Sequence, residues 1–555
     1  MSDAKISRLA RQASLWLILV AGAGVLFFYL NRVFAELPLY AGDEGAYLIR
    51  ALYAHRLDID PGLYPGLQTV ENPVYFALVR LVDLLSLNVL PWMRLLGMAA
   101  YAGGLAALYA IAVREGGRSA ANAVLLVAAA FPYYRFVVTA MPEGLYIGGL
   151  CAIALIVHRA WLTRPVHAAF AVGALSAVLV LIKPHGVAVM LALLALTVIV
   201  GIWRREGARP IAWRLALLGT AFFLTGTLIE LAVGKELGDA MRFFAGSPYY
   251  AKQMSHEAAR DALPLATLSA GAMISLCAMF VGTPLVAWVA DLLERDAVRR
   301  RQPDAGDVVL LFVTLCLIGA LAMVTIFTFK IAYVESETRR LWGRYFEFFV
   351  PMLWLLAARP LVQRLPTVRW IAALVVALGL AAWAAAIIGG RMNLHPWDGA
   401  AINAFSPVAL APAAVLASVG VVVAMALCPA WNRTWAIYFV VIGLLSTWAD
   451  DAWVGEIAAR NIALEHELHI ADSLSESRTG ELLVIAGDQN DGHVAFLRLH
   501  GRPRVELTDP RKVGPKLIGQ ARMVIAFSGR EPAGPWHPVF DGDVLSVYLP
   551  EAEHP

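Results

Sequence analysis

Two adjacent carboxylates near the N-terminus can do acid–base chemistry. Asp43 and Glu44 lie between Gly42 and Gly45, directly before an amphipathic stretch. The apolar side of that stretch carries Tyr47, Leu48, Ala51 and Leu52. A carboxylate within reach of a hydroxyl group is a general base, so this pair is a candidate catalytic site. A structural alternative stays open, because an aspartate at a helix start also caps backbone N–H groups and is favoured by the helix dipole.

A second group of candidates consists of cations that could hold an anion. Lys183 lies in the tight turn 182–186, between two apolar runs. Segment 335–345 carries Arg339, Arg340 and Arg344, and it ends at Tyr345. Guanidinium and ammonium groups near a bilayer suit a lipid phosphate, which makes Lys183 and Arg344 candidate phosphate ligands. The alternative is that these side chains only reach for water or pair with the glutamates of segment 335–345.

Two further carboxylates lie at the ends of apolar runs, and both are functional candidates because ionisable groups at membrane depth are costly. Glu143 follows Pro142, and Glu230 lies nearly ninety positions further along. A glutamate at a helix end can also be merely solvated. Other chemistries find little support: His185 and His256 have no partner at metal-ligand spacing. Segment 487–492 lacks the spacing and closing glutamate of a calcium loop, and we interpret it as a turn.

The elements that must position these residues are membrane helices. The chain is 59% hydrophobic and only 16% charged, with a mean hydropathy of +0.66. Its long apolar runs approach the ~20 residues that a bilayer-spanning helix needs, and they predict about thirteen spans. These are 13–30, 93–113, 119–134, 141–158, 166–182, 187–203, 211–233, 265–290, 308–329, 346–358, 370–388, 407–428 and 435–453. The first is interpreted as a signal anchor, and the net charge of +3 gives no argument for nucleic acid.

Charge bias predicts the orientation. If the N-terminus is cytoplasmic, every inner loop carries arginine, as the positive-inside rule requires. The outer side then receives segment 31–92, whose two amphipathic stretches are expected to lie along the membrane surface. It also receives 454–555, where a helical stretch at 455–475 and short β-rich runs predict a small α/β domain. The four cysteines lie in apolar runs, so no disulfide framework is predicted. The predicted fold is a mainly α, polytopic transmembrane bundle over 1–453 with an extracytoplasmic α/β domain.

In the order of its motifs, the chain resembles the GT-C superfamily of polytopic glycosyltransferases, which includes lipid A aminoarabinose transferases and protein O-mannosyltransferases. The motifs that carry the resemblance are Gly42-Asp43-Glu44, Asn72-Pro73-Val74-Tyr75, Arg94, Glu143, Lys183-Pro184, and Gly343-Arg344-Tyr345 followed by Pro351. They cover roughly residues 10–360. One departure stands out: Asn72 occupies the place where many bacterial members have a lysine implicated in holding the donor phosphate.

The resemblance implies a sugar donor on a polyprenyl phosphate, an acceptor glycan, lipid or protein on the outer face of a bacterial cytoplasmic membrane, and inversion at the anomeric carbon. Asp43 is then the general base, with Glu44 in its support. The implied substrate-binding residues are Arg344, Lys183, Tyr345, Glu143 and Arg340. No cofactor is implied; a divalent metal between carboxylate and phosphate is compatible with the sequence, but nothing in it requires one.

Three other functions remain open at this point. A transporter or lipid flippase normally shows internal repeats and charges near the bilayer midplane, whereas the candidate groups here lie at predicted outer ends. A polysaccharide polymerase or ligase would rely on cations of later outer loops and not on Asp43. A scaffold would use 454–555 as a binding module.

Overall fold

The computed structural model describes thirteen stretches of the chain and a few single positions between them. The stretches are 43–53, 72–130, 138–244, 256–299, 302–330, 342–353, 366–388, 459–475, 481–486, 489–500, 502–507, 521–527 and 534–550. The predicted spans 13–30, 407–428 and 435–453 lie almost entirely outside the described residues, as do Arg340 and the side chain of Asp43.

Helices dominate the described part before residue 389. Those of more than four residues are, in chain order, α1 (Asp43–Tyr53), α2 (Pro73–Leu84), α3 (Val89–Ala130), α4 (Glu143–Ala160), α5 (Pro165–Ile182), α6 (Gly186–Trp203), α7 (Ala208–Ala232), α8 (His256–Arg299), α9 (Ala305–Lys330) and α10 (Pro366–Ile388). Prolines start α2 and α5 at the first helical position, where a missing N–H costs nothing. The amphipathic helices predicted at the start and end of segment 31–92 are thus confirmed.

Six described helices are long and apolar enough to cross a membrane. They are Val89–Arg118 of α3, α4, α5, α6, α7 and the Ala305–Phe329 part of α9, while shorter apolar stretches occur in α8 and α10. Gly117, with a φ of 78°, interrupts α3 between the predicted spans 93–113 and 119–134. α5 packs against both α4 and α7, and α9 packs against α6 and α8. The described residues therefore confirm a polytopic bundle, without fixing the number of its spans.

Two predicted elements are wrong. The span 346–358 is not a continuous helix over its described residues: 3-10 turns at Gly343–Tyr345 and Glu347–Phe349 lead into the short helix Val350–Leu353. Pro351 is one reason, since it has no N–H to donate to the carbonyl of residue 347. Segment 487–492 is not a turn throughout, because a helix starts at Gln489 with Asp491 in its first turn. Buried Asp491 accepts two hydrogen bonds from Arg460, which fixes that first turn.

The C-terminal part is the small α/β unit that the sequence predicts. Helix α11 (459–475) precedes β1 (Glu481–Ala486), α12 (Gln489–Arg498), β2 (Arg504–Leu507), β3 (Ala521–Phe527), β4 (Trp536–Asp541) and β5 (Leu545–Pro550). The sheet order is β2-β1-β3-β5-β4. The β1–β2 and β1–β3 pairs are parallel, and the β3–β5 and β4–β5 pairs are antiparallel. Neither β2, β4 nor α12 was anticipated from the sequence.

The sheet unit and the first two helices share one apolar core. Buried Tyr47 and Leu48 of α1 and Tyr75 of α2 belong to the same hydrophobic cluster as side chains of α11, α12 and the sheet. Tyr53 meets Phe496 edge to face at 5.3 Å between ring centroids. Because α2 also packs on α3 and α5 of the membrane bundle, the sheet unit lies at the bundle end where α4 begins and α5 ends.

Candidate functional site

The candidate residues of α4 are positioned by a close approach of backbones. A Cβ at Gly144 would lie 2.6 Å from the carbonyl oxygen of Gly97, and one at Gly148 would lie 2.4 Å from that of Ala100. Only glycine fits at both positions, a helix contact of the small-residue type common in membranes. This contact holds the first turn of α4, which begins at Glu143, against α3 at Gly97.

Glu44 and Arg94 form one buried ion pair. The Oε1 atom of Glu44 lies 3.3 Å from Nη2 of Arg94, and the two side chains are 0% and 1% exposed. The same oxygen accepts the backbone N–H of Ala140 at 2.5 Å. The hydroxyl group of Tyr75 donates a hydrogen bond to the carbonyl oxygen of Ala140. Side chains of α1 and α2 therefore bond to the N–H and the C=O of the same residue in the segment before α4. Burial, together with Glu44 and Glu143, raises the pKa of Tyr75 well above its ordinary value.

Glu143 and Lys183 form a second buried ion pair at the neighbouring helix ends. Lys183 Nζ lies 2.5 Å from Oε1 of Glu143, and both side chains are nearly fully buried. The lysine directly follows Ile182, the last residue of α5. Asn72 donates from its side-chain amide to the carbonyl oxygen of Ile182 at 2.5 Å. The segment before α2 therefore fixes the lysine turn as well.

Tyr345 joins the two cations that the sequence places far apart. Lys183 Nζ lies 5.2 Å and the Arg344 guanidinium carbon 5.0 Å from the centroid of the Tyr345 ring. Nη2 of Arg344 also donates to the Tyr345 hydroxyl at 2.9 Å. Cation–π contacts of this kind hold a charged group without neutralising it. The site thus presents two cations on one aromatic platform, with Arg344 partly exposed.

Two more rings extend the platform around Tyr345. His185 stacks on it at 4.1 Å with an interplanar angle of 12°, and Trp342 lies 5.9 Å away at 28°. Burial, Lys183 and Arg344 all lower the pKa of His185 well below its ordinary value. The two cations that disfavour a proton on His185 also favour an anion beside them.

The structure brings some predicted site residues together and leaves others apart. Glu143, Lys183, Arg344 and Tyr345 form one cluster, and Glu44 lies on the other side of the Ala140 segment. The backbone of Asp43 begins α1, directly before Glu44. Its side chain is outside the described part of the structure. Arg340 lies outside the described residues. Among those residues, no three His, Cys, Asp or Glu side chains are grouped closely enough to hold a metal ion.

Sequence reasoning missed Tyr75, His185 and Trp342 as members of this site. All three stand within three positions of a residue that was singled out: Tyr75 after Asn72, His185 after Lys183, and Trp342 before Arg344. For His185 and Trp342 the available signal was an aromatic ring two positions from a cation, whereas Tyr75 had only its place in the Asn72-Pro73-Val74-Tyr75 motif.

Comparison with known proteins gives a structural likeness without sequence support. No model of a protein family matches the sequence, and no curated protein matches it either. The fold is similar to the crystal structure of ArnT from Cupriavidus metallidurans bound to undecaprenyl phosphate, with a TM-score of 0.55, 17% identity, and 98% of each chain covered. It is also similar to the apo state of that protein, with a TM-score of 0.51, 17% identity, and 97% of this chain and 98% of the other covered. The resemblance predicted from the motifs is confirmed at the level of fold: this chain is a polytopic membrane protein with a fold like that of ArnT.

Proposed function

We propose that the protein is a glycosyltransferase that moves a sugar from a polyprenyl-phosphate donor to an acceptor on the outer face of the cytoplasmic membrane. The observation that carries this proposal is the convergence of Lys183 and Arg344 on the ring of Tyr345. A buried lysine and a partly exposed arginine on one ring at the end of a membrane bundle match a lipid-linked phosphate. The fold adds support, since ArnT has been crystallised with undecaprenyl phosphate.

The reaction is a single displacement. The acceptor hydroxyl oxygen bonds to the anomeric carbon while the bond from that carbon to the phosphate oxygen breaks, which inverts the anomeric centre. Asp43 takes the hydroxyl proton as general base. The negative charge that gathers on the departing phosphate is stabilised by Lys183 and Arg344, which are held in place before the reaction begins.

The remaining candidates have supporting parts in this mechanism. Glu143 pairs with Lys183 and orients its ammonium group towards the Tyr345 platform. Glu44 supports Asp43 indirectly, because its bonds to Arg94 and to the N–H of Ala140 fix the first turn of α1. Arg340 supplies a further cation to the donor phosphate. With the charge of the phosphate met by side chains, the mechanism needs no metal.

The proposed orientation puts the N-terminus in the cytoplasm and both the site and the 454–555 domain on the outer face. This places the donor phosphate at the interface, where a polyprenyl chain can stay in the bilayer during transfer. Glu44 of α1 and Tyr75 of α2 contact the Ala140 segment beside the site. We assign to these two helices the alignment of the acceptor with the anomeric carbon, which supplies rate through positioning.

The test is a transfer assay in proteoliposomes with a labelled polyprenyl-phosphate sugar and an extract of envelope acceptors. We expect the Asp43→Asn variant to insert normally and lose transfer. The matched control is Asp83→Asn, which neutralises an exposed aspartate of α2 and should transfer normally. Wild-type turnover by Asp43→Asn would refute the assignment, and translocation of the labelled donor without transfer would favour a flippase.

A further inference from the structure

A second cationic depression lies beside α2, at the same end of the bundle as the proposed site. It is a cavity of about 710 Å³ between α1, α2 and the end of α7. Its wall includes the cations Arg50, Arg80 and Lys235 and the apolar side chains Phe76, Leu81 and Val233. We call it the α2–α7 groove.

One backbone contact and one ion pair position two of the three cations of this groove. Nε of Arg80 donates to the carbonyl oxygen of Ala51 at 2.8 Å, in the turn of α1 that directly follows Arg50. Lys235 closes the opposite wall and pairs with the buried Glu230 at 3.2 Å. That glutamate compensates one of the three charges and does not line the groove. Among the described residues, the lining contains no acidic side chain, so the groove carries an excess of positive charge.

The apolar part of the wall is continuous with a surface that faces lipid. Leu84 of α2 and Val233 after α7 are 80% and 47% exposed. Along the spanning helix α7, Phe223, Leu224 and Leu228 are also exposed. A contiguous exposed apolar surface on a membrane helix is a contact surface for acyl chains. A ligand in the groove would therefore have its anionic group among the arginines and its apolar part against α7.

The groove is separate from the proposed donor site. Asn72 lies between them, because it lines the groove and also donates to the carbonyl oxygen of Ile182 beside Lys183. Neither Lys183 nor Arg344 lines the groove.

We propose that the α2–α7 groove binds the phosphate head group of an anionic membrane phospholipid, distinct from the sugar donor. Basic pockets between membrane helices recognise lipid head groups in this way, and arginine can contact a phosphate with two parallel hydrogen bonds. A free phosphate ion would use the cations but not the apolar wall. A bound lipid would contact α1, α2 and the end of α7 at the same time. These contacts would stabilise α1, the helix that begins at Asp43.

The experiment measures lipid binding to the full chain by native mass spectrometry. Phosphatidylglycerol is added to detergent-solubilised protein in a background of zwitterionic phosphatidylethanolamine. We expect one phosphatidylglycerol to bind preferentially, and Arg50→Glu to weaken it at least ~10-fold, since the new carboxylate pairs with Arg80. The matched control is Arg242→Glu, the same charge change at an exposed arginine outside the groove, which should bind like wild type.

Two competitors decide the source of the anion. Millimolar inorganic phosphate should not displace the lipid; displacement would overturn the proposal in favour of a free-anion site. Undecaprenyl phosphate should bind in addition to phosphatidylglycerol, and one-for-one displacement would assign the groove to the donor. Equal binding by wild type and Arg50→Glu, with both shown to be folded by thermal unfolding, would also overturn it. The lipid-binding experiment measures no sugar transfer. A negative result therefore overturns the lipid site alone, and the proposed reaction is still tested by the transfer assay on Asp43→Asn.

Discussion

Two buried ion pairs lie at the same end of the bundle, and their surroundings differ. Glu44 and Arg94 are enclosed, and the carboxylate is also bonded to the backbone of Ala140. Lys183 pairs with Glu143 but also lies over the Tyr345 ring, next to partly exposed Arg344. An ion pair whose carboxylate also bonds to a backbone N–H holds two segments of the chain together. An ion pair whose cation also contacts an aromatic ring, next to a second cation, can still attract an anionic ligand. We therefore assign stability to the first pair and donor binding to the second.

The largest effect is expected from breaking the enclosed pair. Arg94→Met leaves the Glu44 carboxylate buried without its cation, which costs about 3–5 kcal/mol of stability. Thermal unfolding in detergent should show a large drop in Tm. The double variant Arg94→Met/Glu44→Gln should recover most of that loss and keep donor KM, because the amide still accepts the Ala140 N–H. If the recovered double variant is folded but cannot use donor, the first pair is functional and the comparison fails.

Breaking the second pair should act on transfer. Lys183→Met removes a fixed positive charge from the departing phosphate, and loss of one such group costs about 10²–10³-fold in kcat. It also leaves Glu143 buried, so Lys183→Met/Glu143→Gln is the informative variant: Tm should return towards wild type while transfer stays low. Recovery of transfer together with stability would show that Lys183 is merely structural.

An intermediate effect is expected where the sheet unit meets α1. A Cβ at Gly45 would lie 2.8 Å from Cβ of the buried His493. Gly45→Ala therefore forces α1 and α12 apart, and overpacking of this kind costs about 1–3 kcal/mol. The control is Gly238→Ala, where a Cβ meets nothing within 4 Å. Equal Tm values for the two variants would contradict the packing of the sheet unit on α1.

Tyr75→Phe should have a smaller effect. The change removes the hydroxyl that donates to the Ala140 carbonyl, and the net loss of such a bond is about 0.5–1.5 kcal/mol. Because Tyr75 acts through the Ala140 segment, kcat should fall more than donor binding. An unchanged Tm and unchanged kcat would remove Tyr75 from the site.

The smallest effect is a pH dependence at His185. Its pKa is lowered in the folded protein by burial, Lys183 and Arg344, so the unfolded chain binds a proton first as the pH falls. Above about pH 6.5, the ordinary pKa of histidine, His185 does not change the free energy of unfolding. Below that pH, protonation of the unfolded chain lowers the free energy of unfolding. His185→Phe keeps a ring on Tyr345 and removes the titration. Between pH 7 and pH 5, the Tm of wild type should therefore fall more than the Tm of this variant. An equal fall in both proteins would contradict the lowered pKa of His185.

Sequence reasoning reached the elements whose signals are local and missed those that depend on tertiary contacts. Apolar runs located α4 to α7 to within a few residues, and the motif order indicated a fold resemblance that the likeness to ArnT confirms. The short strands β2 and β4 were not recognised, because their alternation is weak and they gain stability only beside β1 and β5. In the site, charges at helix ends identified Lys183 and Glu143 separately. Their pairing across 40 positions, and the meeting of Lys183 and Arg344 at Tyr345, arise only from packing.

The most direct test of the account is the affinity of purified protein in nanodiscs for undecaprenyl phosphate. Wild type, Arg344→Ala and Lys183→Met/Glu143→Gln would be compared with the control Arg94→Met/Glu44→Gln. We expect at least ~10-fold weaker binding by the first two variants and wild-type binding by the control. Equal affinity in all four proteins would contradict the assignment of the phosphate to Lys183 and Arg344.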